Sequence, residues 1–269
     1  MPNEDIDTLK AELERTRLAY RQAIQTGQLK AGFLARTSHE LRSPLNSLIG
    51  LHQLIMAGLC ENPEEEREFI EQAHQAAFRL LKLLDEVIYI AKLEYGSHQL
   101  EIETHPLSSI FQQVEQQIHL QAANRSYPLT ITQPESELFV KADFKRLVQV
   151  LISLLDAGIA KMQEGSLALT AQDAEEQSFV EILIDIHSPY CIWSEPLDKM
   201  QEQLPEITPE RAKTLLEKPV PSPEMNWILS QDLLASMKGQ LNLVATPTEE
   251  KEFTRLRCLI PRSEAEIPT

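Results

Sequence analysis

The chain has 269 residues, enough for about two domains. Its net charge is −16, from 25 Lys and Arg against 41 Asp and Glu, and so acidic a chain is poorly suited to a phosphate backbone, which excludes direct nucleic-acid binding as a leading function. Three cysteines without paired spacing, no run of 18 apolar residues and an acidic start, MPNEDIDTLKAELERT, argue against a disulfide frame, a membrane span and a signal peptide, and lead to the expectation of a cytoplasmic protein without membrane insertion.

Residues 4–58 read as one long helix. Ile6, Leu9, Leu13 and Tyr20 fall at heptad positions, so residues 1–30 are expected to form a coiled-coil extension. Thr16, Ala23 and Gly27 make that seam imperfect. An apolar stripe resumes at Leu34, Leu41, Leu45, Leu48, Leu51 and Ile55. Gly58 and Asn62-Pro63 close it: Asn62 suits an N-cap, Pro63 the first helical position, and Glu64, Glu65 and Glu66 the positive helix start. That acidic run reads as capping rather than binding. A second helix is expected over 63–95, with Phe69, Ile70, Ala73, Ala77, Leu80, Leu81, Leu84, Val87, Ile88 and Ala91 on a wide apolar face and Gly96 as C-cap. One hairpin, residues 31–96, cannot bury two such stripes. Two hairpins can, as a four-helix bundle, so a homodimer is expected.

From about residue 97 to 269 the pattern changes. Alternating segments at 98–103, 128–132, 165–171, 179–187, 240–245 and 252–260 read as strands, with helices between them at 108–123, 143–163 and 224–238. One sheet layered by helices, an α/β sandwich, is the simplest outcome.

The central stretch of the first helix reads FLARTSHELRSPLNSLIG, from Phe33 to Gly50. Phe33 stands six places before His39. The run Ser38-His39-Glu40-Leu41-Arg42 follows, then Ser43, Pro44, Leu45-Asn46 and Ile49-Gly50. An isolated His would be read as an ordinary surface residue, but this box at fixed spacing resembles the phosphoacceptor box of the two-component sensor histidine kinases. A neutral imidazole is a nucleophile near pH 7 and can attack phosphorus through one ring nitrogen. The resemblance implies that His39 is the phosphoacceptor and Glu40 its acid/base partner. Side chains of neighbouring helical residues point about 100° apart, so spacing alone does not give that pairing. Arg42 is a candidate to answer phosphoryl charge and Asn46 belongs to the same box. Ser43 takes the place from which the family orients a water for dephosphorylation, where Thr or Asn is more usual. Pro44 removes the donor for the Glu40 carbonyl and is expected to bend the helix one turn after His39.

The order of elements after residue 97 is similar to the family's ATP-binding domain, but its nucleotide motifs are degenerate. Asp143 to Lys161 keeps the apolar spacing of the asparagine box. Ser153 and Ala157 stand where Asn is usual, and Ala160 where Lys is usual. Asp156, a hard oxygen ligand one place early, and Lys161, one place late, are candidates for a remnant nucleotide or magnesium site; no cluster with metal-ligand spacing is apparent. The first glycine box is replaced by Val180–His187 running into Ser188-Pro-Tyr-Cys-Ile-Trp193, with Asp185 as the nearest Asp but on the face opposite Ile182, Ile184 and Ile186. The second is Ser222-Pro-Glu-Met-Asn-Trp-Ile228. The eight glycines are about 3% of the chain against about 7% on average, and none falls in a phosphate loop, where glycine lets backbone N–H groups close on phosphate. The segment 194–222 corresponds to the nucleotide lid and is stiffened by prolines, with a helical stretch at 210–218.

Three readings follow. In the favoured one the chain is a histidine phosphotransfer protein: His39 exchanges a phosphoryl group with a response-regulator receiver aspartate, and the second domain, its autokinase activity lost, is a scaffold. Its partners would be a second copy, a receiver domain and an upstream histidine kinase or sensor. No cofactor is expected. In the second reading the chain is a divergent but active kinase using ATP and Mg. In the third it is a non-catalytic scaffold that docks a kinase or response regulator. A receiver is expected to dock near His39 and the 58–62 end of the hairpin, against Leu51, Leu54 and Ile55.

Overall fold

The computed structural model describes residues 32–96, 99–134, 136–187, 193, 221–244 and 254–263. The expected coiled coil at 1–30 lies outside these residues, as does the helical stretch at 210–218. The first helix, α1, covers 32–56 and continues through Pro44 without a break. It ends where Gly58 turns to φ +66, with the Leu59 N–H bonded to the Leu54 carbonyl and the Gly58 N–H to that of Ile55. Glycine takes this left-handed turn without Cβ strain and satisfies the last carbonyls. Helix α2, Pro63–Glu94, begins as the residue types require: Asn62 Oδ1 accepts the Glu65 N–H at 2.8 Å, and Glu65 Oε2 accepts the Glu61 N–H at 2.7 Å. Gly96, at φ +67, follows its end.

The second domain runs β1 (Glu103–Pro106), α3 (Leu107–Asn124), β2 (Leu129–Ile131), β3 (Phe139–Ala142), α4 (Phe144–Lys161), β4 (Leu167–Asp173), β5 (Phe179–Ile186), α5 (Pro223–Ser236), β6 (Gln240–Val244) and β7 (Thr254–Ser263). The strand order is β1-β3-β7-β5-β4-β2, with β6 also on β7. Every pairing is antiparallel except β2 with β4. Val180, Ile182, Ile184 and Ile186 of β5 and Leu256, Cys258 and Ile260 of β7 turn inward. They meet Phe111 of α3, Leu147, Leu151 and Leu154 of α4, and Met225 and Leu234 of α5 in one core. Each such side chain contributes roughly 1.5–3 kcal/mol through burial.

The core does not stop at the domain boundary. Leu83 and Ile90 of α2 belong to it, and Phe33 and Leu41 of α1 pack against it. A smaller cluster of Leu51, Leu54 and Phe69 closes the turn end of the hairpin.

Two strand expectations need correction. The strand expected at 98–103 lies at Glu103–Pro106, because its register is set by β3 through Glu103 opposite Ala142. Pro106 is tolerated because β1 is an edge strand and needs no donor there. Strand β3 was not expected at all; its four residues, FVKA, alternate over too short a span to stand out.

Candidate functional site

The box from Ser38 to Asn46 lies wholly within α1. The buried stripe of this helix runs Arg36, Glu40, Pro44, Ser47, Leu51 and Leu54. Three- and four-residue steps keep these on one face. Its first half is polar and its second apolar, because the two halves meet different neighbours. Leu51 and Leu54 meet Phe69. Arg36 and Glu40 meet the start of α5.

There the Ser222 backbone N–H donates to Glu40 Oε2 at 3.0 Å. Arg36 Nη1 lies 2.9 Å from Glu224 Oε2, a charge contact rather than an aligned hydrogen bond at that nitrogen. Glu40 is 6% exposed, Arg36 8% and Glu224 3%. Ser222 is also the N-cap of α5: its Oγ accepts the Met225 N–H at 3.2 Å. Asn226 Nδ2 donates to the Pro221 carbonyl at 3.3 Å.

His39 is half-buried and its imidazole makes no hydrogen bond among the described residues. Glu40 Oε2 is thus turned to the start of α5, and no hydrogen bond joins its carboxylate to the His39 imidazole among the described residues. Arg42 is exposed, Ser43 and Asn46 are half-buried, and the Ser43 carbonyl accepts the Ser47 hydroxyl at 3.2 Å. The expected docking surface at Leu51 and Leu54 is closed, since both are buried inside the hairpin; their apolar spacing marked a core, not a contact face.

In the second domain Ser153 is half-buried and Ala157 is buried. Ser153 lines a cavity of about 370 Å³ between α2, α4 and α5, together with Lys82, Tyr89, Arg146, Asn226 and Ser230. The Arg146 guanidinium lies 3.5 Å over the Tyr89 ring and donates to Gln149 Oε1 at 2.7 Å. Burial pushes the Glu86 carboxyl up, against the opposing pull of Lys82, Gln149 and Arg146. Asp156 and Lys161 are not brought together as a site. Burial pushes Asp156 up to about 6, with Lys82 and Gln121 as its opposing partners, while Lys161 is exposed in the last turn of α4. A neighbouring ammonium is a poor companion for a bound cation, and no group of three His, Cys, Asp or Glu suited to a metal exists among the described residues. Asp185 lies on the outer face of β5, as alternation requires. It accepts from Arg255 Nε and Nη2 at 2.6 and 2.7 Å, its partner across β7. Residues 188–192 lie outside the described set, and Trp193 is buried in the core.

The N–H at the start of α5 is committed to Glu40, Pro223 has no N–H to give, and Ala157 offers no metal ligand.

Arg36, Ser222 and Glu224 were not singled out from sequence. The available signal was the spacing: Arg36 lies one turn before Glu40, so both continue the stripe that ends in Leu51 and Leu54.

Residues 29–96 match the His Kinase A (phospho-acceptor) domain. The autoinducer 2 sensor kinase/phosphatase LuxQ of Vibrio harveyi is 29% identical over 209 residues, covering 74% of this chain and 23% of LuxQ. LuxQ of Vibrio cholerae is 24% identical over 184 residues, covering 68% and 21%. The chain thus spans under a quarter of the length of these relatives. Among solved structures, the histidine kinase AdeS of Acinetobacter baumannii superposes with a TM-score of 0.61 at 16% identity, over 84% of this chain and 98% of that one. The histidine kinase ThkA in complex with the response regulator protein TrrA gives 0.58 at 17% identity, over 89% and 64%. The fold class is a phosphoacceptor-type helical hairpin followed by an α/β domain of the histidine-kinase ATP-binding type. Residues 29–96 thus match the His Kinase A phospho-acceptor domain, and the chain is similar to two-component sensor histidine kinases.

Proposed function

We propose that this chain carries phosphoryl groups on His39 without making them from ATP. The observation that carries the reading is an asymmetry. The whole box from Ser38 to Asn46 is kept on one continuous helix, while the start of α5 lacks glycine and spends its first N–H on Glu40. The donor and acceptor would be the aspartate of a response-regulator receiver, in keeping with the ThkA–TrrA complex among the structural relatives.

In the transfer, a lone pair on one imidazole nitrogen attacks the phosphorus of the aspartyl phosphate. An N–P bond forms, the P–O bond breaks and the receiver carboxylate leaves. The other ring nitrogen passes its proton to Glu40, which neutralises the imidazolium. Positioning supplies most of the catalysis, with the receiver providing its own metal. Arg42, exposed beside the box, offers charge to the incoming phosphoryl group; Ser43 is the candidate to orient a hydrolytic water, and Asn46 completes the box.

The test is incubation with phosphorylated receivers followed by a search for acid-labile, base-stable phosphate. Wild type should label and His39→Gln should not, and calorimetry with ATP and magnesium should give no heat of tight binding. Micromolar ATP binding with γ-phosphate transfer to His39 would instead establish the active-kinase reading. Equal labelling of wild type and His39→Gln, or none, would favour the scaffold.

A further inference from the structure

We propose that the cavity between α2, α4 and α5 is a binding site for a small α-amino acid with an apolar side chain. The inference goes beyond the phosphotransfer reading and does not depend on it.

The cavity measures about 370 Å³, within the usual range for small-molecule sites. Its walls carry two groups of each charge: Lys82 and Arg146 against Asp85 and Glu86. No ion pair joins any of the four among the described residues. Gln149 stands between two of them. Its Oε1 accepts from Arg146 Nη1 at 2.7 Å, and its side chain is also a hydrogen-bond partner of Glu86. One neutral amide thus separates an acid from a guanidinium. The guanidinium is held in place from its other side as well, 3.5 Å over the Tyr89 ring.

Opposite charges that are near but unpaired suit a ligand carrying both. An α-amino acid bears its ammonium and its carboxylate on one carbon. The carboxylate would take the Arg146 donors that Gln149 leaves, since a guanidinium has five and binds carboxylates through two at once. The ammonium would take Glu86. Burial already raises that carboxyl, and the ligand would supply the close counter-charge it lacks. A ligand with one charge alone would leave the opposite wall uncompensated. The remaining wall is largely apolar, with Ile90, Val150, Leu229 and Leu233 all buried, and it suits a hydrocarbon side chain. Ser230 lies on the same wall and is 2% exposed.

Calorimetry on the full chain tests this with L-phenylalanine as the probe. N-acetyl-L-phenylalanine keeps only the negative charge, and phenethylamine keeps only the positive one. Phenylalanine should bind with a dissociation constant of about 1 mM or below, a modest demand for so small a ligand. Each one-charge analogue should bind at least about tenfold more weakly, the effect of one lost charged hydrogen bond. Glu86→Gln should weaken phenylalanine by about tenfold and leave N-acetylphenylalanine unchanged; Arg146→Gln should weaken phenylalanine equally and leave phenethylamine unchanged. Ser230→Leu, which adds bulk to the apolar wall and alters no charge, should weaken all three. His39→Gln should bind as wild type does. Thermal melts by circular dichroism show which variants fold, and if Arg146→Gln does not, Glu86→Gln and Ser230→Leu still decide. No saturable binding of phenylalanine overturns the proposal, as does equal binding of the one-charge analogues. Binding undiminished in every folded variant, or displaced by ATP, overturns it too, since the site would then lie elsewhere or be a nucleotide site.

Discussion

Asp156 shows burial outweighing charge pairing at a single residue. Desolvation pushes its carboxyl from 3.8 to about 6, and Lys82 and Gln121 offset only part of this. Its Oδ1 has no hydrogen-bond partner among the described residues. A raised folded pKa means the neutral acid is the form the fold prefers. The stabilisation is complete below 3.8, falls as pH rises toward about 6, and is absent above that. The gap corresponds to about 3 kcal/mol for a fully buried group, and residual solvent contact lowers it to on the order of 2 kcal/mol. Asp156→Asn should therefore match wild type near about pH 4 and exceed it by on the order of 1–2 kcal/mol near about pH 7.5. Urea unfolding at the two pH values checks this; the same difference at both would trace the effect to packing instead.

At the scale of elements, the helices were the most legible parts. Asn62-Pro63 announces a helix start and caps α2 in the structure; Asp143 and Ser222, which the sequence reading did not take as caps, cap α4 and α5. The long strands β4, β5 and β7 alternate over enough residues to be read. Strand β3 does not, and β1 is placed by its partner rather than by its own pattern. The site was legible where covalent spacing carries it, from Ser38 to Asn46. It was not legible where tertiary contact decides. Whether Glu40 turns to His39 or to α5 depends on where Ser222, 182 residues away in sequence, comes to rest. The surroundings of Asp156 are set in the same way, because α2 and α3 supply Lys82 and Gln121 as its neighbours.

The molecule as a whole is unfinished on one side. Leu45 and Ile49 of α1 are 43% and 40% exposed, and Phe78 and Leu81 of α2 are 59% and 52% exposed, although both helices have their other faces in contact. An apolar surface of this extent along one hairpin calls for a second helical pair. The full chain should scatter light as a dimer of 30.6 kDa subunits at micromolar concentration, and Leu81→Glu should shift it toward the monomer. A wild-type monomer would contradict the four-helix bundle.

Strand β7 has a consequence in time as well as in space. It joins β3 on one edge and β5 on the other, so without it β1–β3 and β5–β4–β2 are separate ribbons. Its residues, 254–263, are also the last described strand to leave the ribosome. The hairpin can form as it emerges, whereas the sheet must wait with its apolar faces open until the keystone arrives. Nascent chains halted before residue 254 should resist protease across α2 yet be cut within β4 and β5; equal resistance in both would mean that the ribbons hold together unaided. During that interval the exposed strand edges need shielding, by a chaperone or by speed of synthesis.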